Sequence, residues 1–147
     1  MIPPKTKSSR LSSHFKDDYR RDSWIVAKDL TSSFKYAVKG LSYAFLSQRN
    51  FRIHVFIGLL VIVLSIWLKL SFSNCAILLL TISIVLVLEL INTAIEAVVD
   101  LAIGRRFHLL ARIAKDCAAA SVLISALSSF FIALLILLPP ILEKLGL

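Results

Sequence analysis

Apolar and polar positions alternate along this chain at helical periods, with no sign of the two-residue period of strands. Leu30, Phe34, Val38, Leu41 and Phe45 recur at offsets of four, four, three and four, with Lys35 and Lys39 flanking the stripe. That spacing predicts an amphipathic helix over about 29–46, capped by Asp29 or Thr31 and lying in a headgroup layer. A polar stretch, Ser47 to His54, comes next. Three apolar runs then predict spans at about 53–68, 75–103 and 117–138. Phe51 and Trp67 can anchor the ends of the first. Lys69 to Asn74 reads as a tight connection, Gly104 as the stop of the second span, and Pro139-Pro140 as the exit of the third. Residues 1–28 are rich in Ser, Lys, Arg and Asp and read as a basic, disordered tail. The reading is therefore an all-α membrane protein with a tail (1–28) and one membrane-embedded domain (29–147). That domain has three transmembrane helices and an N-terminal amphipathic surface helix.

Composition agrees with a bilayer setting. Of 147 residues, 58% are hydrophobic and 18% charged, against about 45–50% and 25% in soluble domains. Cys75 and Cys117 both sit in or beside apolar stretches, without a CxxC, and read as small buried hydrophobes. No secretory leader is expected, because the first 30 residues are polar.

The net charge of +8 matters through its placement. Residues 1–52 carry eleven Lys or Arg against four Asp, which accounts for seven of the eight charges. No base-reading module accompanies them, so nucleic acid is not the expected partner. The loop between the first two spans carries one Lys, while the segment Arg105 to Lys115 is basic. The positive-inside rule then puts the N-terminus and that second basic segment in the cytoplasm of a multi-pass protein.

The candidate chemistry lies where the second span turns polar. Glu89, Asn92, Glu96 and Asp100 are spaced three, four and four apart, which stacks them on one helix face. A carboxylate at membrane depth costs about 2.5 kcal/mol or more, so a repeated one points to a metal, a cation or a reacting substrate. The chain holds no P-loop, no protein-kinase glycine loop and no H-E-x-x-H, and its four glycines are scattered. A nucleotide would have to be held by side chains, a metal and helix ends. Carboxylates facing Lys35, Lys39, Arg105, Arg106, Arg112 and Lys115 suit phosphoryl transfer. Mg²⁺ binds through one or two carboxylates plus phosphates. A second, partly buried carboxylate can take a proton from a lipid hydroxyl, and cations neutralise the phosphate charge.

The pattern Glu89-x-x-Asn92-Thr93-Ala94-Ile95-Glu96-x-x-Val99-Asp100 resembles the signature of the small prokaryotic diacylglycerol kinase family, which includes undecaprenol kinases. Lys39-Gly40-Leu41, Asn50-Phe51-Arg52, His108 and Ala114-Lys115-Asp116 extend the match, which covers about Phe34 to Ile136. The resemblance implies a homotrimer in the bacterial cytoplasmic (inner) membrane, with sites between subunits at the cytoplasmic interface. It implies transfer of a phosphoryl group from ATP, with Mg²⁺, to a membrane lipid alcohol. On its terms Glu89 is the general base, Glu96 a metal ligand, and Tyr36, Glu96, Lys115 and Asp116 nucleotide contacts. Glu89, Asn92 and Asp100 then surround the lipid hydroxyl.

Two departures from the family pattern bear on this. A second metal-binding glutamate is usual three residues before Phe51, and here the residue is Gln48, which offers a carbonyl oxygen but no charge. The stretch from Asp100 to Lys115 is one residue longer than in enterobacterial members, so Arg105, Arg106 and Phe107 have no individual counterparts. His54 and His108 read as interfacial polar residues. The lipid stays open between diacylglycerol, giving phosphatidic acid, and undecaprenol, giving undecaprenyl phosphate. Arg49 to His54 looks more like the Gram-positive branch. A catalytically impaired relative, or a non-enzymatic ion- or proton-translocating oligomer, is the remaining alternative. Spans one and three hold few polar groups for a continuous ion path.

Overall fold

The structure is a computed structural model, and it describes residues 30–104 and 106–146. The N-terminal tail, Asp29 and Arg105 lie outside the described residues, and with them the expected tail and the Asp29 cap. The described residues form four helices: α1 (Leu30–Ser47), α2 (Arg49–Trp67), α3 (Phe72–Ile103) and α4 (Leu109–Leu145). By length and composition, α2, α3 and α4 are able to cross a membrane. The chain divides into two compact units, Met1–Tyr43 and Ala44–Leu147.

In the first unit, the described residues are those of α1 up to Tyr43. Leu30, Phe34, Val38 and Leu41 are all exposed. Thr31 lies inside the helix and does not cap it.

In the second unit, α3 is the central helix and packs mostly on α4 and next on α2. Its buried residues are Leu78, Val85 and Glu89, seven and four apart, so the face that packs is apolar at first and ends on a carboxylate. α2 turns Phe51, Gly58 and Ser65 inward, and α4 turns Ala118, Val122 and Leu137. Gly58 lets α2 and α3 approach: a Cβ there would meet Ile82 Cγ2 at 2.8 Å. Most of the remaining apolar side chains are exposed, as lipid-facing helices require.

The helix ends explain where the sequence reading differs. α2 begins at Arg49 rather than Ile53, so most of the polar stretch is helical. Arg52 Nη1 donates to the carbonyls of Phe45 (3.1 Å) and Leu46 (3.2 Å) at the end of α1. These are carbonyls that a helix end leaves unpaired. α2 closes with Leu70 N–H on Ser65 O (3.1 Å) and Lys69 N–H on Ile66 O (3.0 Å), and Lys69 takes the left-handed φ of 53°. Ser71 caps α3 by accepting from Asn74 N–H at 3.3 Å. Gly104, with φ 60°, ends α3 as its sequence suggests.

Pro139 and Pro140 do not end the last helix, which continues to Leu145. Proline removes an N–H donor and crowds the carbonyl four residues earlier, so this continuation needs outside support. Lys144 supplies it. Its Nζ lies 3.7 Å above the Trp67 ring and donates to Trp67 O at 3.1 Å, fixing the end of α4 against the end of α2.

Candidate active site

α3 is 32 residues long, or about 48 Å at 1.5 Å per residue. A bilayer core of about 30 Å takes about 20 residues. Counted from Phe72, the core ends near Ile91. Glu89 then stands at the edge of the hydrocarbon, and Asn92, Glu96 and Asp100 follow one, two and three turns out. One helix therefore carries its own polar group through the boundary layer.

Each group on the stripe has a different partner. Glu89 is the most enclosed, at 4% exposure. Its Oε1 lies 3.5 Å from His54 Nε2 on α2. Asn92 Nδ2 donates to Glu96 Oε1 at 3.1 Å. Asp100 accepts from Lys115 Nζ on α4, tying the polar end of α3 to its neighbour. Asp116 is exposed and lies 3.8 Å from Arg112 Nε one turn earlier on its own helix. An exposed pair of that kind contributes little to stability. The structure thus joins Asn92 with Glu96 and Asp100 with Lys115.

Gln48 is half-buried at the N-cap of α2, where its side chain makes no capping bond. Tyr36 is half-buried in the first unit, with Lys39 Nζ 6.0 Å from its ring centroid.

The fit to a divalent cation can be tested on the donors present. Among the described residues no three His, Cys, Asp or Glu side chains gather as a metal cluster. Mg²⁺ does not need one, since it is held by one or two carboxylates together with substrate phosphates and water. Asn92 Oδ1 is buried without a hydrogen-bond partner. A buried carbonyl oxygen left unpaired costs about 1–3 kcal/mol, and a ligand that takes it up recovers that cost. It belongs to the side chain whose amide holds Glu96, so the donors are hard oxygens of the kind Mg²⁺ prefers.

His54 is the functional candidate that the sequence reading set aside. Phe51, His54 and Gly58 are three and four apart, and Phe51 and Gly58 are buried. Starting the span at Ile53 hid this face. Starting it at Arg49 puts His54 toward α3. His54 also lines a groove between α2, α3 and α4, together with Thr81 and Ser129.

Three membrane-length helices and a stack of carboxylate and amide groups at the end of the central one define a small polytopic membrane protein with a polar boundary site. The sequence profile described as prokaryotic diacylglycerol kinase matches residues 35–137, and the chain belongs to that lipid kinase family. It is 50% identical over 128 residues to a diacylglycerol kinase of Synechocystis sp., covering 87% of this chain and 73% of the relative. It is 40% identical over 107 residues to an undecaprenol kinase of Bacillus subtilis, covering 73% and 86%. A diacylglycerol kinase of Escherichia coli is 38% identical over 90 residues, covering 61% and 73%. The three apolar helices and these bacterial relatives make it a bacterial membrane protein.

Proposed function

We propose that this protein transfers the γ-phosphoryl group of ATP to the primary hydroxyl of diacylglycerol, giving phosphatidic acid. The observation that carries the reading is Glu89, a carboxylate almost closed to solvent at the end of the packed face of α3. Membership of the lipid kinase family gives the reaction class, and the 50%-identical diacylglycerol kinase favours this lipid. The Bacillus relative supports undecaprenol, giving undecaprenyl phosphate, as the second substrate reading.

Glu89 takes the proton of the lipid hydroxyl as its oxygen attacks the γ-phosphorus, and ADP leaves with the bridging oxygen. Such a base contributes about 10²–10⁴-fold. Asn92 and Asp100 stand along the same face, positioned to orient the hydroxyl. Lys115, held on Asp100, brings positive charge to the phosphates, and Tyr36 and Asp116 complete the nucleotide contacts in this reading. Glu96, with the carbonyl oxygen of Gln48, would hold Mg²⁺, which neutralises phosphate charge when bound. The chemistry sits at the cytoplasmic interface of the inner membrane, with the N-terminus cytoplasmic and α1 lying on the surface. Three copies assemble in this reading, their lipid-exposed apolar faces supplying the contact.

The test is phosphate transfer by purified protein in detergent, offered diacylglycerol and undecaprenol in parallel with Mg²⁺ and ATP. Glu89→Gln keeps the side-chain volume and removes the base, so turnover should fall about 10²–10⁴-fold with assembly unchanged. Near-normal turnover in that variant removes Glu89 from the chemistry. Transfer to neither lipid by a folded wild-type protein overturns the kinase reading.

A further inference from the structure

Glu89 needs more than burial to act as a base. A glutamate carboxylate on three rotatable side-chain bonds presents either oxygen in many directions, and a misplacement of about 1 Å can cost about 10²-fold. Its own helix does not hold it: Thr93 Oγ1 donates to the backbone carbonyl of Glu89, at 2.9 Å, and Asn92 Nδ2 is spent on Glu96. Among the described residues, the recorded partner of the Glu89 side chain comes from α2, where His54 Nε2 stands 3.5 Å from Oε1. The two side chains differ in exposure, 23% for His54 and 5% for Glu89. His54 lies on the same helix face as Phe51, at 2% exposure, and Gly58, where a Cβ would meet Ile82 of α3.

We propose that His54 is the positioning residue of Glu89. The imidazole Nε2–H holds Oε1 from across the helix interface, leaving Oε2 free for the proton of the lipid hydroxyl. The inference rests on the reading of Glu89 as the base. It requires the tautomer protonated on Nε2. It also requires a contraction of about half an ångström to reach hydrogen-bond length, as catalytic contacts commonly tighten when substrate binds. Proton transfer itself stays between the hydroxyl and Glu89. His54 touches no reacting atom.

The experiment compares His54→Gln, His54→Leu and His54→Ala with wild type and Glu89→Gln. Steady-state kinetics are read with dioleoylglycerol in mixed micelles and MgATP, alongside thermal unfolding and assembly size. Gln retains an N–H donor at similar reach, whereas Leu keeps bulk without a donor. Leu and Ala should lower kcat about 10–100-fold with KM for ATP unchanged, and Gln should restore it to within about fivefold of wild type. Where Ala fails to fold, the Gln and Leu pair decides. Wild-type kcat in the Leu variant overturns the proposal, and so does a Gln variant as slow as Leu. If Glu89→Gln is itself active, the base reading fails and this inference with it. If Glu89→Gln is inactive while all His54 variants run normally, only the positioning role is lost.

Discussion

At the scale of single residues, the stripe on α3 is a graded series. Glu89 is buried against His54, Glu96 is half-buried under the Asn92 amide, and Asp100 is exposed and tied to Lys115. The further out a carboxylate lies, the less its burial costs and the less its environment tells about a reaction. That is why Glu89 carries the functional reading and Asp116 does not. Gln48 is the residue whose chemistry is least like the family pattern. A neutral amide offers an oxygen without charge, so restoring a carboxylate strengthens a site for a hard cation. Gln48→Glu should lower the Mg²⁺ concentration for half-maximal turnover several-fold, read from a Mg²⁺ titration at fixed ATP. An unchanged midpoint places Gln48 outside the metal shell. The stripe itself was legible from spacing alone, because four polar groups at helical offsets in an apolar run have one geometric reading. His54 was not, because its role depends on a neighbour 35 positions away.

At the scale of elements, the site depends on how closely α2 approaches α3. Gly58 sets that distance, since Ile82 Cγ2 occupies the space its Cβ would fill. Ile82 is β-branched and stiff at χ1, so it yields little. Gly58→Val should therefore separate the helices and cost about 1–3 kcal/mol. The expected signs are a lower unfolding temperature in detergent and slower turnover, both partly recovered by Ile82→Ala. Full stability in Gly58→Val alone shows that the crossing is looser than the structure has it. Element existence was readable from the sequence, while two boundaries were not. Ser47 to His54 looked like a polar stretch ahead of a span starting near Ile53, yet Arg52 spends its guanidinium on the carbonyls ending α1 and α2 starts at Arg49. Pro139-Pro140 looked like a stop, yet α4 runs on to Leu145, held by Lys144 on Trp67.

At the scale of the whole molecule, orientation decides whether the site meets cytoplasmic ATP. About 48 Å of α3 separates the turn at Lys69 from the segment at Arg106, enough to put them on opposite sides of a bilayer. Cys75 and Cys117 would first be replaced by Ser. A single Lys69→Cys variant should then react with a membrane-impermeant maleimide in right-side-out vesicles. Arg106→Cys should react in inverted ones. The reverse pattern turns the protein over and removes the site from the ATP side. Assembly belongs to this scale as well. The exposed apolar faces of α2, α3 and α4 suit lipid and neighbouring copies alike.

The sequence by itself determined that the chain holds helices of membrane length, and that Glu89, Glu96 and Asp100 share one helix face. Periodicity and composition are local properties, set by 1.5 Å and 100° per residue and by the cost of charge in hydrocarbon. Tertiary structure decided which acid is enclosed and that His54 meets it. It also decided that one oxygen of Asn92 is buried without a partner, and that the helix running past two prolines meets Trp67 through Lys144. Those outcomes depend on the approach of helices far apart in the chain, which no local pattern encodes.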